Sequence, residues 1–310
     1  MNIVFMGTPD YAVPALRALY AAGHNICGVF AQPDKPVGRK RILTAPPVKV
    51  CAKELGITVY QPASLKTGEA YEILKELSPE LIVVVAYGKI LSKEILNLPK
   101  FGCLNGHASL LPKYRGASPI QWSIISGEKK TGVTAMYMDE GIDTGDIIEA
   151  VETDIGENET AEELFERLSV LNAELLVSTV QKIADGTAQR TKQPKTGESY
   201  APIIKKEMAQ LDFNKNANKL FNEVRGYYSW PCAFLFLNGK RIKVVKAAVG
   251  KNTSALAGTV IGNTDSLVIA CGEGTSLKIL EVIPEGGKQM SAENMLRGNR
   301  VELGMGVNNG

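Results

Sequence analysis

The run "LIVVV", residues 81–85, constrains this chain more than any other feature. It is apolar at every position and mostly β-branched, with none of the alternation of a strand that faces water on one side. Such a run must be covered on both faces, and it is far shorter than the roughly 20 residues of a membrane span. The stretch "ELIVVVAYG" (Glu80–Gly88) is therefore predicted to be a central strand under helices on both sides. The neighbouring sequence supplies matching parts. "NIVFMG" (Asn2–Gly7) and "NICGVFA" (Asn25–Ala31) read as further buried strands. Val13–Gly23, Ala45–Gly56 and Glu69–Pro79 carry helical spacing, with Gly or Pro at their ends. "KFGCLNGH" (Lys100–His107) and "GVTAMYMD" (Gly132–Asp139) lead into two more strands. Repeated β-α-β units imply a Rossmann-like, mostly parallel sheet with right-handed crossovers, an α/β fold. Thr160–Gly186 reads as one long amphipathic helix, opened by a capping box of Thr160 and Glu163.

Composition then changes. Residues 187–206 are polar, basic and broken by Pro and Gly, as an inter-domain linker would be. A helix is expected from Asn214. Short strands follow in "AFLFLNGKRIKVVKA", "GTVIGN", "SLVIACG" and "SLKILEV", with "LNGKRI" as a hairpin signal. This pattern fits a small OB-fold-like β-barrel. The expected organisation is a catalytic domain over 1–186, a linker over 187–206 and a barrel domain over 207–310, with a frayed tail "GMGVNNG". The net charge is +2, unevenly spread. Residues 207–310 carry 12 Lys+Arg against 9 Asp+Glu, net +3, and residues 1–206 the remaining 23 against 24, net −1. A basic C-terminal domain points weakly to a polyanionic partner.

Several function classes are excluded or disfavoured. Gly7 ends a first strand, but "GTPDYAVPAL" has no second glycine where G-x-G-x-x-G requires one, so a dinucleotide site is disfavoured. "MDEGIDTGDI" (Met138–Ile147) holds Asp139, Glu140, Asp143 and Asp146, yet it lacks the Ca²⁺-loop spacing. It reads instead as a tight turn that could aim one carboxylate into a cleft. The five cysteines (Cys27, Cys51, Cys103, Cys232, Cys271) are scattered and contain no C-x-x-C pair. They read as packing residues in a cytoplasmic protein, with neither disulfide framework nor zinc site. No signal peptide and no membrane span are expected.

The chain has only two histidines, His24 and His107. His24 has no polar company and reads as structural. His107 ends a buried strand in "LNGHASLLPKYRGASPIQW", two residues after Asn105 and so on the same strand face. Open α/β sheets place ligands at such strand ends. Asn, His and a carboxylate converging there can stabilise an oxyanion and move a proton.

These residues resemble the folate-dependent formyltransferase family, which pairs N-x-H and S-L-L-P with a later Asp. "FMGTPDYAVPAL", "QPDKPVGR", "VVAYGKIL" and "GIDTGDI" extend the resemblance along essentially the whole chain. The one departure is Gly106, where a bulkier apolar residue is the family's pattern. By resemblance, Asn105, His107 and Asp143 are the catalytic trio, and no metal is needed. Ser109, Leu110, Leu111 and Pro112 match a tetrahydrofolate-binding loop, and Val85, Ala86, Tyr87 and Gly88 an edge along which the pterin lies. The basic loop with Arg39, Lys40 and Arg41 matches an insertion that approaches a tRNA acceptor stem. The implied reaction moves the formyl group of 10-formyltetrahydrofolate onto the α-amino group of methionine on initiator tRNA, for translation initiation. A monomer in the cytoplasm is expected. Rival readings are formyl transfer to an amino-sugar nucleotide or glycinamide ribonucleotide, and a non-catalytic RNA-binding protein.

Overall fold

The structure, a computed structural model, describes residues 1–38, 40–65 and 68–308. The chain divides into two compact units. The first comprises Met1–Pro119, Lys130–Asp154 and Phe165–Ala201. The second comprises Ile120–Lys129, Ile155–Leu164 and Pro202–Gly310.

The first unit is built on strands β1 (Asn2–Gly7), β2 (Asn25–Phe30), β3 (Lys35–Val37), β4 (Ile42–Thr44), β5 (Val59–Tyr60), β6 (Leu81–Val85), β7 (Cys103–His107), β8 (Arg115–Gly116), β9 (Lys130–Tyr137), β10 (Ile147–Asp154) and β11 (Tyr200–Ala201). Seven of them form one sheet in the order β10-β9-β7-β6-β1-β2-β5. The pairs β5-β2, β2-β1, β1-β6 and β6-β7 are parallel, and β7-β9 and β9-β10 are antiparallel. All five residues of β6 are at most 5% exposed, as their unbroken apolar character requires. Every buried aliphatic side chain of this kind contributes about 1.5–3 kcal/mol by leaving water. The chain runs from β1 outward to β2 and β5, then returns to the other side of β1 as β6. In open α/β sheets ligands bind at such a reversal, here the carboxyl ends of β1 and β6, where Gly7 lies opposite Val85.

Helices α1 (Val13–Ala21), α2 (Pro47–Glu54), α3 (Gly68–Leu77) and α4 (Lys93–Leu96) connect these strands. α5 (Pro119–Ile125) lies between β8 and β9, and α6 (Ala161–Ala184) follows β10. The capping box of α6 forms: Glu163 N donates to Thr160 Oγ1 at 3.3 Å, and Thr160 N donates to Glu163 Oε2 at 2.8 Å. Leu168, Leu175, Leu176, Val180 and Ile183 give α6 its buried stripe. Asn172 lies on that stripe and is fully buried. It packs against Gly106 of β7, where a Cβ would overlap its amide. The departure at position 106 thus has a steric basis in this chain: Asn172 occupies the space a side chain there would need. Strand β10 has no counterpart among the sequence expectations. Glu149, Glu152 and Asp154 dilute its apolar pattern, because it is the half-exposed edge of the sheet.

The second unit holds α7 (Ala217–Gly226), β12 (Phe234–Leu237), β13 (Lys240–Val249), β14 (Val260–Asn263), β15 (Leu267–Ala270), β16 (Ser276–Pro284), β17 (Met290–Ser291) and α8 (Ala292–Gly298). The sheet runs β12-β13-β16-β15-β14, antiparallel throughout, with β17 added to β16. It is a curled half-barrel: among the described residues no ladder joins β14 back to β12. Asn238 (φ 52°) and Gly239 (φ 70°) both have positive φ, as the type I′ turn of an Asn-Gly hairpin demands. The tail does not fray through Asn308. Val307 N donates to Gly258 O at 2.9 Å, and Asn308 accepts from Phe236 N and donates to Leu211 O. Pairing along the sheet ties down a segment whose small, polar composition suggests fraying.

The contact between Gly106 and Asn172 makes a prediction. Gly106→Ala should destabilise the protein by about 1–3 kcal/mol through overpacking. Adding Asn172→Ala should recover most of that loss. Urea midpoints of the single and double variants measure the coupling, and strictly additive effects would show that the two residues do not share this space.

Candidate active site

Strand alternation puts Asn105 and His107 on one face of β7, and Gly106 on the other face under α6. Asn105 lies beside Val84 of β6 and Met136 of β9. The acidic loop leaves β9 beside Cys103, where Met138 N donates to Cys103 O at 2.8 Å. That is the far end of β7 from His107, so the loop must turn back along the strand to bring Asp143 to the pair. Two features accommodate this. Gly145 lies so close to the Tyr137 carbonyl that no Cβ fits, and Asp143 adopts the left-handed region at φ 54°.

Three of the four acids of this loop, Asp139, Glu140 and Asp143, have different surroundings. Asp139 accepts from Gly141 N at 3.0 Å and Thr144 Oγ1 at 2.6 Å, shaping its own turn. Glu140 pairs with Lys93 at 2.8 Å. Asp143 reaches the strand: its Oδ1 accepts from Asn105 Nδ2 at 3.2 Å, and its Oδ2 from Gly116 N at 2.8 Å. The same Oδ2 lies 3.6 Å from His107 Nδ1. His107 Nε2 is 2.9 Å from the Tyr114 carbonyl, which can only accept, so Nε2 carries a proton. The His107 side chain is 6% exposed and that of Asp143 15%.

Ser109–Pro112 follows β7 directly. Ser109 is fully buried, and its hydroxyl donates to Lys113 O at 2.6 Å. Thr134 Oγ1 donates to Ser109 O at 2.7 Å and accepts from Leu111 N at 3.2 Å. The Ser109 hydroxyl is thereby committed to folding the loop. At the end of β6, Val85 and Tyr87 are buried while Ala86 and Gly88 are exposed. Thr8 Oγ1 and Gln32 Nε2 both donate to Tyr87 O, at 3.0 and 3.1 Å, and fix the backbone edge there. Asp34 of the "QPDKP" stretch accepts from Lys49 Nζ at 2.7 Å and Gln61 Nε2 at 2.8 Å. These bonds, that to Lys49 foremost, hold its carboxyl below the usual carboxylate range.

The basic loop is a hairpin of β3 and β4. Lys40 and Arg41 are exposed on it, beside exposed Val37, Ile42 and Leu43. Arg39 lies outside the described residues. No cluster of three or more His, Cys, Asp or Glu side chains suited to a metal ion occurs among the described residues, and no helix is long and apolar enough to cross a membrane.

Residues 1–180 match the formyl transferase family, and residues 203–300 match the formyl transferase C-terminal domain. The chain belongs to the formyltransferase family. Over 305 residues it is 48% identical to a methionyl-tRNA formyltransferase of Thermodesulfovibrio yellowstonii, covering 98% of each chain. It is 45% identical over 312 residues to the methionyl-tRNA formyltransferase of Bacillus subtilis, covering 99% of this chain and 98% of that one. Among solved structures, an N-formyltransferase of Helicobacter canadensis, in complex with folinic acid and dTDP-3-aminofucose, superimposes with a TM-score of 0.68 at 21% identity. That match covers 90% of this chain and 98% of the other. A methionyl-tRNA formyltransferase of Clostridium thermocellum gives 0.55 at 21% identity, covering 88% and 100%. At these identities the structures speak for the shared fold.

Several residues that shape this candidate site have no local sequence signal. Gly116, Thr134, Gln32 and Thr8 act through single polar atoms aimed at partners 25 to 79 residues away, and Tyr114 through its backbone carbonyl. Tyr87 supplies a test of the pinned edge. Its hydroxyl is buried with no partner among the described residues, and burial pushes its pKa up to about 12. A phenol favoured as neutral in the fold contributes stability that is complete below its unfolded pKa of about 10 and is lost as pH rises through the folded value. Tyr87→Phe should leave stability at pH 7 unchanged or raise it by roughly 1 kcal/mol, and should lessen the loss between pH about 10 and 12. Urea midpoints at neutral and alkaline pH check this. A clear loss at pH 7 would mean that the hydroxyl is hydrogen-bonded in solution.

Proposed function

We propose that this formyltransferase moves the formyl group of 10-formyltetrahydrofolate to the α-amino group of methionyl initiator tRNA, yielding the N-formylmethionyl-tRNA used to initiate translation. The observation that carries the reading is the carboxylate of Asp143 joining Asn105 and His107 on one face of β7. The near full-length likeness to methionyl-tRNA formyltransferases selects the acceptor.

The neutral amine attacks the formyl carbon. Its N–C bond forms, the carbon's bond to N10 of the folate breaks, and one proton passes from the amine to N10. Charge develops on the formyl oxygen between these steps. Asn105 spends one amide hydrogen on Asp143 and offers the other to that oxygen. His107 and Asp143 are the titratable groups beside the reacting centre, and they hold and relay the proton. The pterin lies along Val85, Ala86, Tyr87 and Gly88, and the Ser109–Pro112 loop closes the other side of the folate. The reaction needs no metal.

Arg39, Lys40 and Arg41 meet acceptor-stem phosphates, which Lys and Arg contact without reading sequence. The exposed Val37, Ile42 and Leu43 on the same hairpin suit a face covered by a partner. The division of labour follows: residues 1–186 perform the chemistry, residues 187–206 connect, and residues 207–310, with their net +3, bind tRNA. The cytoplasm, where charged tRNA is used, is the proposed location.

Incubation with 10-formyltetrahydrofolate and charged initiator tRNA should yield formylmethionine. Product only from an amino-sugar nucleotide would overturn the choice of acceptor. Asn105→Ala and His107→Ala should each slow single-turnover transfer by about 10²–10³-fold with folate affinity little changed. A wild-type rate in either removes that residue from the chemistry. Replacing Arg39, Lys40 and Arg41 together by Ala should reduce the slope of log affinity against log salt by roughly 2–3, at about 0.7–0.9 per phosphate contact. An unchanged slope would leave these three cations as solvated charges.

A further inference from the structure

The segment after α6 reads as a linker, but through Ala201 it belongs to the first unit. Among the described residues from Gln189 to Tyr200, Gln193 is the only one not exposed. Its side chain makes four polar contacts. Nε2 donates to Asp143 O at 2.8 Å and to Gly145 O at 2.9 Å. Oε1 accepts from Arg115 Nε at 3.1 Å and Arg115 Nη2 at 2.8 Å. Carbonyls only accept and a guanidinium only donates, so this amide has a single chemically consistent orientation.

The contacts join the two loops that hold the trio. One loop carries Asp143. The other supplies the Tyr114 carbonyl to His107 and the Gly116 N–H to Asp143. The surrounding segment is stitched to the same two places. Thr191 and Ile147 exchange two backbone hydrogen bonds of 2.8 Å just beyond the Asp143 loop. β11 pairs with β8, Ser199 Oγ accepts from Tyr114 N at 2.9 Å, and Glu198 pairs with Arg115 Nη1 at 2.8 Å.

We infer that Gln193 is a positioning residue for the formyl transfer: by gripping the carbonyl of Asp143 it holds that residue in its left-handed conformation, with the carboxylate aimed at Asn105 and His107. This rests on the proposed role of Asp143. The physical need is plain. A non-glycine residue at φ 54° is uphill of ordinary conformations, and such residues persist only where their surroundings over-determine them. The carbonyl of Asp143 is the group whose direction changes when φ and ψ relax, and Gln193 is bound to it.

The experiment compares kcat at saturating 10-formyltetrahydrofolate and charged initiator tRNA in four variants of the full chain. Gln193→Ala should lower kcat by roughly 10–100-fold, the scale of a displacement of about 1 Å in a reacting group. KM for the folate should stay within about 2-fold, since the uniform binding contacts are untouched. Gln193→Glu keeps the size and the acceptor for Arg115 but has no N–H for the two carbonyls, so it should fall as far as the alanine variant. If Gln193→Ala folds poorly by its melting temperature, this isosteric variant decides. Asp143→Asn should slow transfer by itself. Adding Gln193→Ala to it should cost less than about 2-fold more, because residues acting through one group are non-additive. Wild-type kcat in both Gln193 variants, or a full multiplicative loss in the double variant, overturns the inference and leaves Asp143 in place. Wild-type kcat in Asp143→Asn overturns the role of Asp143 and the inference with it.

Discussion

The carboxylate of Asp143 is the point on which the site depends. It is mostly withdrawn from water, and a carboxylate so placed is costly unless donors surround it. Those donors come from separate stretches of chain: the amide of Asn105 on β7 and the backbone N–H of Gly116 on β8, with the ring of His107 close by. No short peptide could bring them together. The sheet must place β7 beside β9, the loop after β9 must double back, and the turn before β8 must present its N–H inward. The charge therefore reports on the whole assembly of the first unit.

Sheet topology explains why the candidate site lies where it does. The reversal of strand order between β2-β1 and β1-β6 leaves the carboxyl ends of β1 and β6 free of crossing connections. The exposed backbone of Ala86 and Gly88 emerges there, pinned from beneath by Thr8 and Gln32. One strand over, β7 ends in His107. The two faces of β7 then have distinct tasks. Asn105 and His107 face Asp143, and Gly106 faces α6, so close to Asn172 that position 106 has no room for a side chain.

Local and periodic features were legible in the sequence. The apolar run of β6, the capping box of Thr160 and Glu163, and the Asn-Gly turn before β13 all carry their cause within a few residues. Asn105 and His107 were legible because strand alternation relates positions two apart. Assigning Asp143 rather than Asp139 or Glu140 took a family resemblance, since four acids in one loop look alike until their partners are known. Strand β10 was obscured by acids on its exposed positions. The tail was obscured because the bonds of Val307 and Asn308 run to Gly258, Phe236 and Leu211, up to 97 residues away. The hydrogen-bonded segment around Gln193 was hidden for the same reason: its composition is that of a linker, and its partners lie 48 to 78 residues away.

That segment shows how weak interactions can set geometry without contributing much stability. A partly exposed hydrogen bond contributes about 0.5–1.5 kcal/mol net, and a surface ion pair such as Arg115–Glu198 about 0–1 kcal/mol. Neither would reveal itself in the core or in the global stability. Yet the Gln193 amide has donors and acceptors on opposite sides, and each can meet only one kind of partner. Displacing either loop breaks both bonds at that end of the side chain. The left-handed conformation of Asp143 supplies the opposing force, since relaxation of φ is favourable by itself. The balance between the two fixes where the carboxylate points. An apolar contact could fill the same space, but it would not distinguish the direction of a carbonyl. A polar residue on an otherwise exposed segment is therefore the group suited to this place, and its exposed neighbours need only keep it there.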